Sequence, residues 1–294
     1  MLKQLFLTLA ILISVTGFIS CSKDEPNNGG KDPIENPTDD PKDDPTDDPT
    51  DDPKDDPADD GTVIVNADGT TSNGMPFRRI DETQFMLNYV AYRLNLGHLQ
   101  VNGYDKVEVS ASLNGKVTIV PAIVIDGTKY FTREISGFND SDIKEIILPN
   151  TITEISPAAF ARAKSLKSIV IPENVKVIGY DAFAGCVNLN LRSIDLPENI
   201  CLEPGCFNEV PLEDITLPIH FRINYTYSKY VTIFSSSAIK NIYMNGLPID
   251  DNVGCLFSDD IKRQATLYVP EYALYDYKKH EYWGKFKQIK GYNP

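Results

Sequence analysis

From residue 143 onward, apolar side chains recur in short alternating sets that end on proline. The sets are Ile143, Ile146, Leu148, Pro149; Leu166, Ile169, Ile171, Pro172; Leu191, Ile194, Leu196, Pro197; and Leu212, Ile215, Leu217, Pro218. A fifth set, Ile239, Ile242 and Met244, carries Asn245 in the proline position. The prolines fall 23, 25 and 21 residues apart, and a period of this size marks a solenoid of stacked coils. Residues two apart, such as Ile169 and Ile171, share one face of a strand, and the following proline, lacking an N–H, ends the pairing. Three residues past each proline stands Ile152, Val175, Ile200 or Phe221. Further on come Ala159-Phe160, Ala182-Phe183 and Cys206-Phe207.

These positions predict mainly short β-strands with turns and short helical pieces. In the coil after Pro172, Glu173-Asn174 is a turn and Val175, Val177 and Ile178 begin a second extended piece. Gly179 is expected to permit a left-handed bend, and the small Ala182 to let Phe183 lie between coils. A single coil cannot cover its own apolar side chains, so stability has to come from coils covering one another, which leaves the flanks as surface. Ahead of the repeats, residues 88–104 alternate about Asn95-Leu96-Gly97, and KVTIVPAIVIDGTKYF does so about Asp126-Gly127. Both predict hairpins that close the first coil.

The run I-x-I-P-x-x-V-x-x-I-G-x-x-A-F-x-x-C, from Ile169 to Cys186, resembles the BspA-type leucine-rich repeat of bacterial surface proteins. The resemblance covers roughly residues 86 to 289. Ser156 and Glu203 depart from its glycine, one residue is missing before Cys206, and the fourth coil has an extra segment between Ile223 and Phe234. TLYVPEYALYDYKKHEYWGKFKQI resembles the family's terminal unit: a last strand ending at Pro270, a short helix, then Trp283, Phe286 and Ile289 folded over the core. Tyr272, Tyr275 and Trp283 are assigned to this cap. The resemblance implies display and binding, and fixes no particular ligand.

The N-terminus bears on address. MLKQLFLTLAILISVTGFIS has a basic Lys3, an apolar run and a small Ser20 before Cys21, the layout of a secretory signal. Phe18-Ile19-Ser20-Cys21 resembles the lipobox of bacterial lipoproteins, with Phe18 in place of the usual leucine. That resemblance implies lipidation of Cys21 and a membrane anchor. Ser22-Lys23-Asp24-Glu25 resembles the lysine-plus-acid signal that directs lipoproteins to the outer face in some Gram-negative anaerobes. From Pro37 to Asp60 the chain reads PTDD, PKDD, PTDD, PTDD, PKDD, PADD. With no apolar side chain larger than alanine and strong self-repulsion, this segment is expected to be a disordered, stretched stalk. Calcium binding is the sharper alternative, but prolines hold the carboxylates apart where a calcium loop needs them to converge.

Charge follows the same division. Residues 22–61 hold 16 acids against 4 lysines, so residues 62–294, with 26 acids and 23 bases, carry only −3 of the total −14. A near-neutral folded part argues against a duplex nucleic-acid partner, which requires a net basic face. The segments expected are therefore a signal peptide at 1–20, lipidated Cys21 and acidic stalk at 21–61, and an N-terminal β cap region at 62–140. Leucine-rich-repeat coils at 141–264 and a C-terminal cap at 265–294 complete the chain.

Catalytic motifs are missing: there is no G-x-S-x-G, H-E-x-x-H, glycine-rich phosphate loop or C-x-x-C. The histidines, His98, His220 and His280, have plain readings beside a hairpin turn, on a coil turn and after the terminal helix. No catalytic residue, cofactor or metal site is expected. Cys186 and Cys206 sit at small inward positions and read as buried thiols; a Cys201–Cys206 disulfide is open, as is the state of Cys255. Of 15 tyrosines, 10 lie between Tyr225 and Tyr292. The fourth-coil insertion carries Tyr225, Tyr227 and Tyr230, the candidate ligand-binding residues, since an exposed tyrosine offers an apolar face and a hydroxyl; packing of these side chains on the cap is the alternative. The expected function is a non-enzymatic adhesin recognising a host or neighbouring-cell surface protein. Glycan capture for polysaccharide uptake is second and hydrolysis third.

Overall fold

The computed structural model describes residues 60–190, 193–224, 232–236, 238–248 and 256–294. Cys21, the acidic stalk up to residue 59, Leu191, Tyr225, Tyr227, Tyr230 and Cys255 lie outside them.

Within the described residues, successive repeats pair in parallel and build three ladders. In the first, Val117 pairs with Ile146, and a bridge from Glu145 to Ser168 carries the register on to Ile169. Beyond residues 191–192 a second run aligns Ile194, Ile215, Ile242, Leu267 and Ile289, each with the next. All but Ile289 are buried. In the second, Ile155, Ile178, Leu202 and Ile223, on strands that follow the proline turn, align in succession from Ile135 at the end of a hairpin strand. The turn itself is closed by Ile152 and Val175, whose N–H groups donate to the carbonyls of Pro149 and Pro172. Proline thus stops one strand and supplies the acceptor that starts the next.

The third ladder is aromatic. Tyr104, Phe138, Phe160, Phe183, Phe207, Phe234 and Phe257 stack ring on ring at 5.2–5.6 Å between centroids. The rings sit on turns whose N–H groups donate to the next repeat, as Phe160 does to Ala182 and Phe183 to Cys206. Stacking at this spacing keeps each large side chain in van der Waals contact on both faces, so the Ala-Phe pair of the sequence marks the seam between repeats. Phe234 and Phe257 extend the seam although they follow Ile233 and Leu256, not alanine. Beyond Phe257, Trp283 and Phe286 meet its ring edge-on at 6.4 and 5.9 Å.

Several expectations need correction. Gly179 is not left-handed: a Cβ there would lie 2.5 Å from the Pro157 nitrogen, so the residue is required by the close approach of the preceding repeat. The left-handed residues are Asp181 and Gly185. The buried counterpart of Leu166 is Leu189; both N–H groups bond three residues back, to Ala163 and Cys186. The two residues that lengthen this repeat therefore follow Leu189, which displaces the expected match at Leu191. Tyr272 and Tyr275 are 71% and 70% exposed, and the buried aromatics of the terminal segment are Trp283, Tyr277, Tyr282 and Phe286. Ile289 lies in a strand, Gln288–Tyr292, that pairs in parallel with Thr266–Pro270.

Both hairpins form. Val90–Asn95 and His98–Tyr104 pair across Leu96 and Gly97, and Ala122–Ile125 and Thr128–Ile135 pair across Asp126 and Gly127. All four turn residues have positive φ, the two-residue geometry that suits the twist of antiparallel strands. Lys116–Thr118, however, belongs to the first parallel ladder. Helices occur at Lys106–Ser112, capped by Asp105, at Asp259–Gln264, capped by Ser258, and at Leu274–Lys279. Only the last was expected.

Candidate recognition surface

Along the first ladder the inward isoleucines force their neighbours outward. One outward row runs Glu145, Ser168, then Ser193, Asp214, Asn241, Thr266 and Gln288; the other runs Ile147, Val170, then Asp195, Thr216, Tyr243, Tyr268 and Lys290. Parallel pairing in register places like positions of successive repeats side by side, so any bias in the sequence becomes a stripe. Ile147 and Val170 are 54% and 79% exposed, an aliphatic start that gives way to aromatic residues at the other end.

The aromatic end is built by adjacency. Tyr243 and Tyr268 stack at 4.9 Å and 13°, Tyr292 meets Tyr243 edge-on at 5.8 Å, and the Lys290 Nζ stands 5.8 Å from the Tyr268 ring centre. The Tyr292 hydroxyl donates to Asn245 Oδ1 at 2.7 Å, which fixes its ring. Desolvation, with Tyr268 and Asp214 adding to it, raises the Tyr243 phenol above its ordinary pKa. It therefore remains a neutral donor. Stacking covers one face of Tyr243 and one of Tyr268, and Lys290 stands over the Tyr268 ring. Asp214 accepts from Asn241 Nδ2 at 2.7 Å, bordering the ridge with a fixed polar pair.

The histidines and cysteines are placed as follows. His98 Nε2 lies 2.6 Å from Glu134 Oε1, and Glu154, beside Glu134 in the second ladder, has its pKa raised by burial and then by Glu134 and Glu203. His220 is 3.6 Å from Glu198 at the surface. His280 Nδ1 accepts from the Tyr282 and Trp283 N–H groups, binding the terminal helix to the aromatic cluster. Cys186, Cys201 and Cys206 are free thiols. The Cys186 thiol donates to the Phe160 carbonyl at 3.1 Å and burial pushes its pKa up to about 12. Among the described residues no group of three or more His, Cys, Asp or Glu is placed to hold a metal ion.

Sequence reasoning placed the candidate tyrosines in the insertion, at Tyr225, Tyr227 and Tyr230, outside the described residues. It passed over Tyr243 and Tyr268. The signal was available: both sit one residue past the inward position of their strand, where Ile147 and Val170 already stand.

Residues 134–253 match the family model of the BspA type leucine rich repeat region, in six copies. Among curated proteins none matches. Solved structures are similar to the chain at low identity. A leucine-rich repeat protein from Bacteroides ovatus is 21% identical with a TM-score of 0.44, covering 65% of this chain and 56% of its own. One from Bacteroides capillosus is 20% identical with a TM-score of 0.38, covering 56% of this chain and 100% of its own. A leucine rich cell surface protein from Faecalibacterium prausnitzii is 15% identical with a TM-score of 0.37, covering 65% of this chain and 52% of its own. The chain thus spans little more than half of the first and third of these.

Proposed function

We propose that the chain, whose residues 134–253 match the family model of the BspA type leucine rich repeat region, is a non-enzymatic recognition protein displayed at the cell surface, with another protein as its partner. The repeats act as a solenoid, closed by the hairpins ahead of them and by the strand–helix unit with Trp283 behind them. Cys21 carries the lipid anchor at the outer membrane, and residues 22–61 hold the repeats away from it. The observation that carries the reading is the outward tyrosine ridge of Tyr243, Tyr268 and Tyr292.

A protein partner suits that ridge better than a neutral sugar does. Sugar recognition on aromatic residues uses an open ring face, and here Tyr243 and Tyr268 cover each other while Lys290 stands over Tyr268. Stacked tyrosines carried on paired strands, with the Tyr292 hydroxyl held by Asn245, match the contacts that dominate protein interfaces. The full chain is expected to bind one or more immobilised host matrix proteins in surface plasmon resonance. Alanine at Tyr243 and Tyr268 together is expected to weaken that binding by about 2 kcal/mol or more. Unchanged affinity, with the melting temperature preserved, sinks the reading.

A further inference from the structure

A second surface differs from the ridge in chemistry. At the turns that enter the strands of the first three repeats lies an open groove of about 520 Å³, lined by Lys144, Lys164, Lys167, Ser168, Asn188 and Asn190 together with Ser165. Its spacing is set by backbone bonds between repeats. The Lys167 N–H donates to the Lys144 carbonyl at 2.9 Å and the Asn190 N–H to the Lys167 carbonyl at 2.8 Å. Asn188 Nδ2 donates to the Lys164 carbonyl at 2.8 Å, clamping one wall to the other.

The charge of the groove is uncompensated. Lys144 Nζ donates to the neutral Asn114 Oδ1, and among the described residues neither Lys164 nor Lys167 has an ion pair. The nearby Glu145 is held by Lys116 at 2.9 Å, and no carboxylate lines the groove. Three cationic side chains on one groove without a carboxylate among them favour an anion. No aromatic or aliphatic side chain lines it either. A protein segment would find no pocket for the apolar anchors that give interfaces most of their energy, whereas a hydroxylated anion can use the lysines for charge and the amides and hydroxyls for hydrogen bonds.

We propose that this groove binds an anionic carbohydrate, a chain of sugars bearing carboxylate or sulfate groups. The site is built from other residues than the tyrosine ridge and does not rest on the protein reading.

The test is titration calorimetry of the full chain with a heparin oligosaccharide, an oligogalacturonate, a neutral dextran oligomer and an oligoglutamate peptide. Binding of either anionic sugar that weakens with added salt, with no signal from dextran, is the expected result; heparin alone would assign sulfate and oligogalacturonate alone carboxylate. Glutamine at Lys144, Lys164 and Lys167 together is expected to weaken it roughly tenfold or more without changing the melting temperature, and arginine at the same positions to retain it. The proposal is overturned if neither anionic sugar binds, if the glutamine variant binds as the parent does, or if oligoglutamate binds as tightly as the sugars. Alanine at Tyr243 and Tyr268 should leave sugar binding intact, which separates failure here from failure of the ridge.

Discussion

At the scale of single residues, the repeat asks for small side chains where neighbouring backbones approach. Gly179 is the sharpest case, because a Cβ would stand 2.5 Å from the Pro157 nitrogen and 2.8 Å from the Ser156 carbonyl carbon, atoms held by the proline ring and by the ladder. Gly179→Ala is expected to destabilise the protein by about 1–3 kcal/mol, the usual cost of overpacking a rigid site, read as a lower denaturation midpoint. The glycine itself was legible in the sequence; its reason was not. A left-handed bend and a close contact both call for glycine, and only the position of the adjacent repeat separates them. Glu203 at the corresponding position shows the other solution: its carboxylate accepts from the Tyr180 N–H and from Asn224 Nδ2, so a polar side chain is retained where both its oxygens are bonded.

At the scale of elements, strands of two to five residues such as Glu154–Ile155 and Thr266–Pro270 are too short to stand alone, and each is held by its counterparts in the flanking repeats. The aromatic seam does the same for the turns. Phe183 lies between Phe160 at 5.2 Å and Phe207 at 5.4 Å, so its removal deprives both neighbours of a packed face. Phe183→Ala is expected to cost about 3–5 kcal/mol, measured by chemical denaturation. The seam was only half visible in advance. Ala-Phe announces Phe160 and Phe183, but Phe234 and Phe257 are preceded by larger apolar residues and follow irregular spacing, so they aligned with the others only once the parallel bridges Phe207 to Phe234 and Phe234 to Phe257 were seen. The unforeseen helix Lys106–Ser112 has a local explanation. Its sequence, KVEVSAS, alternates like a strand, and the Asp105 cap, accepting from the Val107 and Glu108 N–H groups, turned the balance.

At the scale of the whole molecule, recognition and display make separate demands on the chain. Recognition needs rigid outward side chains, supplied by the strand ladder. Display needs an anchor, and Cys21 at the end of an apolar leader meets that need if it is acylated, since two or more chains hold a protein at a membrane almost permanently. Cys21→Ala is expected to move the protein from the membrane fraction to the soluble fraction on cell fractionation, and to abolish labelling by a palmitate analogue; retention of both would remove the anchor from the proposal. The charge division sets a further condition. With −12 gathered in residues 22–61 and −3 in residues 62–294, the cationic groove is a local property that net charge conceals.

The period, the strand and turn order, the inward isoleucines and the two hairpin turns were determined by the sequence alone, because each depends on local spacing: two residues for a strand face, one proline for its end, two left-handed residues for a tight turn. Which outward positions become neighbours was decided by the tertiary structure. Tyr243 and Tyr268 are 25 residues apart, and Lys144 and Lys167 are 23; parallel pairing brings each pair together. Register across repeats of unequal length depends on where the extra residues are accommodated, and that is settled by packing of the buried side chains, not by position along the chain.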